Sequence, residues 1–165
     1  MTLPTWHTLT AQPAETEAVG ARLARALPRD AAGPLVLYLQ GELGAGKTTL
    51  ARGLIQALGH AGAVRSPTFA LLEHYALGDL TVVHLDLYRL EGAPDLEPLG
   101  LRDYALARHL WLVEWPERGG AALPASDLVA ALSVTDQGHA LTLTAHTGEG
   151  TRWLRAAVEF PPGST

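Results

Sequence analysis

Cysteine is absent from this 165-residue chain, which removes disulfides and thiolate metal sites and suits a reducing compartment. Charge is sparse and unbalanced. Charged residues make up 18% of the sequence, and 12 basic against 17 acidic side chains leave a net charge of −5 at pH 7. No basic face can be assembled cheaply from that stock, which argues against a protein that grips nucleic acid unaided. No apolar run approaches the roughly 20 residues that a membrane-spanning helix needs. Residues 1–10 lack both a basic segment and an apolar segment, so no secretory signal is expected. There is no internal repeat, no low-complexity block and no linker long enough to divide the chain. With 47% hydrophobic residues, the expectation is a globular, cytoplasmic protein of one domain, residues 1–165, with frayed ends around Pro161-Pro162-Gly163.

Lysine is also nearly missing. The chain has 11 arginines and a single lysine, Lys47. That lysine lies in Gly41-Glu42-Leu43-Gly44-Ala45-Gly46-Lys47-Thr48-Thr49, which fits the phosphate-binding loop pattern G-x-x-x-x-G-K-[ST]. Glycines let backbone N–H groups curl around an anion without Cβ clashes. A compact ammonium at Lys47 suits the β/γ-phosphates, and a hydroxyl at Thr48 suits Mg²⁺. Gly41, Gly44, Ala45, Gly46, Lys47, Thr48 and Thr49 are therefore the expected nucleotide-binding residues. The context agrees with the pattern: Leu35 to Leu39 reads as a buried strand before the loop. Leu50, Leu54 and Leu58 recur at helical spacing after it, with Gly59 as a stop. The positive end of that helix would face the phosphates.

Around this centre the pattern predicts a helix over Ala14 to Leu27 and strands over Ala70 to Tyr75, Thr81 to Asp86 and Leu110 to Glu114. Gly78-Asp79 reads as a hairpin turn. Gly92-Ala93-Pro94 breaks the chain, and short helices are expected over Asp95 to Leu99 and Arg102 to Arg108. Two further strands, Leu128 to Val134 and Leu141 to Ala145, flank a turn at Asp136-Gln137-Gly138-His139. The fold class is α/β: a P-loop domain with a mixed, mostly parallel sheet flanked by helices.

Hydrolysis or transfer also needs the metal held and a nucleophile oriented. Asp86 and Glu114 each end an apolar strand, and strand carboxyl ends converge on the ligand crevice of an open α/β sheet. Each is either a site residue or a solvated strand end. Lys47, Asp86 and Glu114 are the catalytic candidates, Thr48 is a metal candidate, and either acid is open as a second metal ligand or as the residue that orients water. Ser66-Pro67-Thr68 is either a switch-like loop near the γ-phosphate or an ordinary Ser-Pro turn. His84 shares a strand face with Asp86; a metal pair and a structural hydrogen bond are both open. Arg65, Arg89 and Arg118 are assigned no catalytic role. Trp115 packs either over the site or into the core.

G-E-L-G-A-G-K-T-T at 41–49, S-P-T-F at 66–69, H-L-D-L-Y-R-L at 84–90, L-G-L-R-D-Y at 99–104 and V-E-W-P-E-R at 113–118 occur in this order. Together, over about residues 14–120, they resemble the TsaE (YjeE) family. The resemblance implies an ATPase that binds ATP and Mg²⁺ and hydrolyses ATP weakly when alone. It implies action with the TsaD and TsaB proteins in threonylcarbamoyladenosine modification of tRNA, with tRNA met only through that complex. By the same resemblance Glu114 is the acidic metal ligand and Asp86 a Walker B-like acid. Trp115 lies next to the site, and Pro13 to Thr16 lie near the adenine. Gly138-His139 stands where family members often have Gly-Arg, and residues from about 126 onward do not carry the match. The alternatives are a small-molecule kinase with a lid over Gly92 to Arg108, and a nucleotide-binding switch without turnover.

Overall fold

The computed structural model describes residues 2–91 and 93–159; Gly92 and the Pro161-Pro162-Gly163 end lie outside them. Seven strands form one sheet: β1 (Thr5–Thr10), β2 (Leu35–Gln40), β3 (Leu72–Leu77), β4 (Leu80–Asp86), β5 (His109–Glu114), β6 (Leu128–Thr135) and β7 (Gly138–Ala145). Three α-helices accompany them: α1 (Pro13–Arg25), α2 (Lys47–Ala57) and α3 (Gly148–Glu159). The strand order is β1-β7-β6-β2-β5-β4-β3. The central pairings β6–β2, β2–β5 and β5–β4 are parallel, and the outer ones are antiparallel. The mixed α/β fold is thus as expected, with its parallel block in the four central strands. Among the described residues, no helix is long and apolar enough to cross a membrane.

Strand polarity explains the layering. In β2, β4 and β5 nearly every residue is buried on both sides, as parallel central strands require. Leu35, Leu37, Leu39, Leu110 and Leu112 meet the buried stripes of α1, α2 and α3 on one face. Val36, Val83, Leu85, Trp111 and Val113 form the other face's core with Leu90, Leu96 and Leu123. All three α-helices cover one face, whereas 3-10 segments such as Ala93–Leu99 and Leu101–Tyr104 cover the other. The helix expected over Arg102 to Arg108 is therefore corrected. Gly100 enters the segment left-handed at φ 65°, only Leu101–Tyr104 is helical, and Arg108 is itself left-handed at φ 60°.

Two glycines set how closely α1 and α2 approach. A Cβ on Gly20 would lie 2.3 Å from the Leu50 carbonyl oxygen, and one on Gly53 would lie 2.1 Å from that of Glu17. The helices touch backbone to backbone. Between β1 and β2, strands β6 and β7 are longer than expected, because Gly138 and His139 already pair with Thr135 and Val134. The turn shrinks to Asp136-Gln137.

The α3 helix was not anticipated. Its signal was present in Gly150, Trp153, Leu154 and Ala157, all buried at helical spacing. Thr147 caps it, with its hydroxyl accepting from the Gly150 N–H at 2.9 Å. Trp153 donates its indole N–H to the Leu23 carbonyl at 2.9 Å, tying α3 to α1.

Candidate functional site

The loop between β2 and α2 rims an open cleft of about 490 Å³. Gly44, Gly46, Lys47, Thr48 and Thr49 line it, together with Pro13, Thr16, Ser66, Thr68, Asp86, Tyr88, Glu114, Trp115 and His139. Every catalytic and metal candidate is thus at one place. Gly41, Gly44 and Gly46 have φ of 148°, 79° and 108°, conformations that glycine adopts freely and residues with a Cβ avoid. This is why the loop is glycine-rich. The hydroxyl of Thr48, in the first turn of α2, faces the end of β5.

The polar and ionisable groups are deeply placed. Lys47, His84, Asp86 and Glu114 are respectively 5%, 0%, 4% and 2% exposed. Lys47 donates through Nζ to the carbonyls of Gly41 (2.6 Å) and Glu42 (2.9 Å), and the ammonium sits 4.4 Å from the centre of the Trp115 ring. Burial lowers its pKa from the ordinary 10.5, while Glu114, Asp86, Glu117 and Glu42 pull it upward. Trp115 therefore packs over the site and not only in the core. It is left-handed, with φ 58° and ψ 50°, an uncommon conformation for a bulky residue. That turn at the end of β5 aims the indole back across the cleft at the ammonium.

Asp86 and Glu114 are register partners at the ends of neighbouring parallel strands. Thr48 donates its hydroxyl to Glu114 Oε1 at 2.8 Å. His84 Nε2 lies 2.6 Å from Glu114 Oε2. For His84 the geometry is a hydrogen bond to Glu114 and not a pair with Asp86. Asp86 accepts from the Ser66 hydroxyl, from the Thr68 hydroxyl at 3.4 Å and from the Tyr88 N–H at 2.9 Å. The Ser66-Pro67-Thr68 turn is therefore tied directly to a strand-end acid.

Two contributors escaped the sequence reading. Tyr88 lines the cleft and stacks at 5.0 Å on Trp115. His139, on β7, donates from Nδ1 to the Ala45 carbonyl at 2.5 Å, so the hairpin reaches into the glycine loop. Arg65, Arg89, Arg102, Arg108 and Arg118 do not line the cleft. Arg108 pairs with Asp79 at the opposite end of β4, so the expected lid carries no arginine over the loop.

The donor set suits a hard cation. Among the described residues, no group of three His, Asp or Glu side chains is arranged to hold a metal. Mg²⁺ does not need one, since it binds through one or two protein oxygens and keeps phosphate and water for the rest. Ligands at ~2.1 Å on adjacent octahedral corners lie about 3 Å apart, close to the 2.8 Å between Thr48 Oγ1 and Glu114 Oε1.

A glycine-rich loop at the carboxyl end of a central parallel strand, facing acids on the two strands beyond it, defines the class: a mixed α/β protein with a glycine-lined cleft at its strand ends. Comparison with known proteins narrows this further. The family model described as threonylcarbamoyl adenosine biosynthesis protein TsaE matches residues 10–143, and the chain belongs to that family. The match runs past residue 126, correcting the expectation that the tail lies outside it. A tRNA threonylcarbamoyladenosine biosynthesis protein TsaE from Streptomyces coelicolor is 43% identical over 150 residues, covering 88% of this chain and 98% of the relative. The Haemophilus influenzae protein of the same name is 41% identical over 122 residues, covering 74% and 77%. A crystal structure of YdiB from Bacillus subtilis superposes with a TM-score of 0.77 at 30% identity, covering 96% of this chain and 97% of that one.

Proposed function

We propose that this protein is a Mg²⁺-dependent ATPase that serves tRNA threonylcarbamoyladenosine formation together with the TsaB and TsaD proteins. The observation that carries the chemistry is the Thr48–Glu114 contact at 2.8 Å directly beneath the glycine loop. The family supplies the pathway, since its curated members are named for this modification.

In this scheme Gly41 to Thr49 cradle the phosphates through backbone N–H groups, and Lys47 exchanges its two loop carbonyls for phosphate oxygens. Thr48 and Glu114 would hold Mg²⁺, which when bound would supply positive charge beside the phosphates. Both Asp86 oxygens already accept protein hydrogen bonds. That supports a role in holding Ser66 and Thr68 and orienting water over direct ligation. Water adds to the γ-phosphorus, the bridging oxygen leaves on ADP, and the water proton passes to solvent. Pro13 and Thr16 also line the cleft, and the family resemblance would put the base beside them. The net charge of −5 suits a protein that meets tRNA through a partner complex.

Reconstitution tests the proposal. ATP hydrolysis and multiple-turnover tRNA modification are measured with and without this chain in the presence of TsaB and TsaD. The expected result is slow hydrolysis alone and faster hydrolysis in the complex. Absence of turnover in both conditions would make the site a nucleotide switch, and ATP consumption that depends on a small hydroxylated acceptor would make it a kinase.

A further inference from the structure

We propose that His84 is a positioning residue that holds Glu114 in the orientation the metal side of the cleft requires. His84 lies on β4, two residues before Asp86, with its ring 0% exposed. Its strand partner on β5 is Leu112, so the bond to Glu114 runs diagonally across the ladder. Nε2 is 2.6 Å from Glu114 Oε2. A carboxylate only accepts, so the imidazole donates from Nε2. Nδ1 has no hydrogen-bond partner among the described residues. For filling space here, leucine or phenylalanine would serve without a stranded polar atom. What the imidazole adds is one N–H aimed at one carboxylate oxygen.

The consequence falls on the other oxygen. With Oε2 tied down in the sheet, Glu114 cannot rotate about its terminal bond, and Oε1 stays beside the Thr48 hydroxyl at 2.8 Å. Partners behind a metal ligand that fix its orientation typically matter 10–100-fold to metal affinity or activity. The inference rests on Glu114 as a Mg²⁺ ligand, as proposed above.

The test is a titration of a fluorescent ATP analogue into the full chain, with EDTA and across a Mg²⁺ series, for wild type, His84→Phe and His84→Gln. His84→Phe keeps ring volume and deletes the donor; His84→Gln returns an N–H at similar reach. The expected result is a half-saturating Mg²⁺ concentration raised roughly 10–100-fold in His84→Phe. Affinity in EDTA should be unchanged, and most of the loss should be recovered in His84→Gln. Should the phenylalanine variant not fold, His84→Asn, whose amide stops short of Oε2, carries the same expectation. Wild-type Mg²⁺ dependence in the donor-deleted variant, or a glutamine variant as impaired as the phenylalanine one, overturns the role of His84 alone. A wild-type chain whose nucleotide binding ignores Mg²⁺ overturns the metal site, and the role of His84 with it.

Discussion

Replacing Gly53 by alanine should destabilise the protein although it lies inside a helix, where the same change usually helps. Alanine is favoured over glycine in a helix interior by ~1 kcal/mol. Against this stands the contact with α1. The added Cβ would sit 2.1 Å from the Glu17 carbonyl oxygen, about 1.3 Å short of the 3.4 Å at which ordinary contact begins. The obstacle is backbone, so no rotamer change relieves it, and α1 must move away from α2. Overpacking of this kind costs typically 1–3 kcal/mol, occasionally more. A rigid backbone clash belongs at the upper end, leaving a net loss of about 2 kcal/mol after the propensity gain. For a chain of this size that is roughly 4–8 °C in Tm. Urea unfolding followed by circular dichroism measures it, with Gly33→Ala as control, because a Cβ there meets nothing within 4 Å. Nucleotide affinity should fall too, since α1 carries Pro13 and Thr16 at the cleft and α2 carries Lys47 and Thr48. A Gly53→Ala midpoint at or above wild type would refute the close-approach argument.

Three further outcomes are expected. Lys47→Ala should weaken ATP binding at least tenfold, through loss of charge-assisted contacts of about 1.5–3 kcal/mol each, and abolish hydrolysis; unchanged hydrolysis would remove the loop from the active site. Glu114→Ala should depress Mg²⁺-dependent turnover far more than nucleotide binding in EDTA, and an intact Mg²⁺ dependence would exclude it as a ligand. Burial lowers the Lys47 pKa below 10.5, so the folded state binds that proton less tightly than the unfolded chain. Charged Lys47 thus opposes folding at neutral pH, and this handicap fades as pH rises through the lowered value towards 10.5. The stability of wild type relative to Lys47→Met should accordingly improve as pH rises towards 10.5; a difference that is flat or worsens with pH would contradict it.

The parts of this structure legible in the sequence are those governed by short-range rules. The glycine loop, the apolar strands around it and the acids at their ends follow from spacing alone, and Lys47, Asp86 and Glu114, chosen on that ground, line one cleft. What escaped depends on register or on distant chain segments. Period-two alternation places His84 on the face of Asp86, yet only the β4–β5 register brings it to Glu114. His139 reaches Ala45 only because the β6–β7 hairpin is longer than its turn residues suggested. The α3 helix begins in Gly148, Glu149, Gly150, a glycine-rich start that reads as loop. Its cap works through Thr147, whose hydroxyl also donates to Asp127 at 2.6 Å while Asp127 accepts from the Val36 N–H at 2.9 Å. That chain of bonds from α3 to the loop-bearing strand spans over a hundred residues and leaves no local trace.

The strand order separates where the motifs stop from where a foldable unit stops. The recognisable residues end near Arg118, and a minimal fragment drawn from them would be cut soon after. Such a cut removes β6, which pairs with Leu37 to Gln40 of β2. The strand that leads into the glycine loop would become a raw sheet edge with its N–H and C=O groups unpaired, an invitation to self-association. The anchor from His139 to Ala45 would go with it. The tail contributes little visible chemistry, but it converts the loop's strand from a margin into an interior.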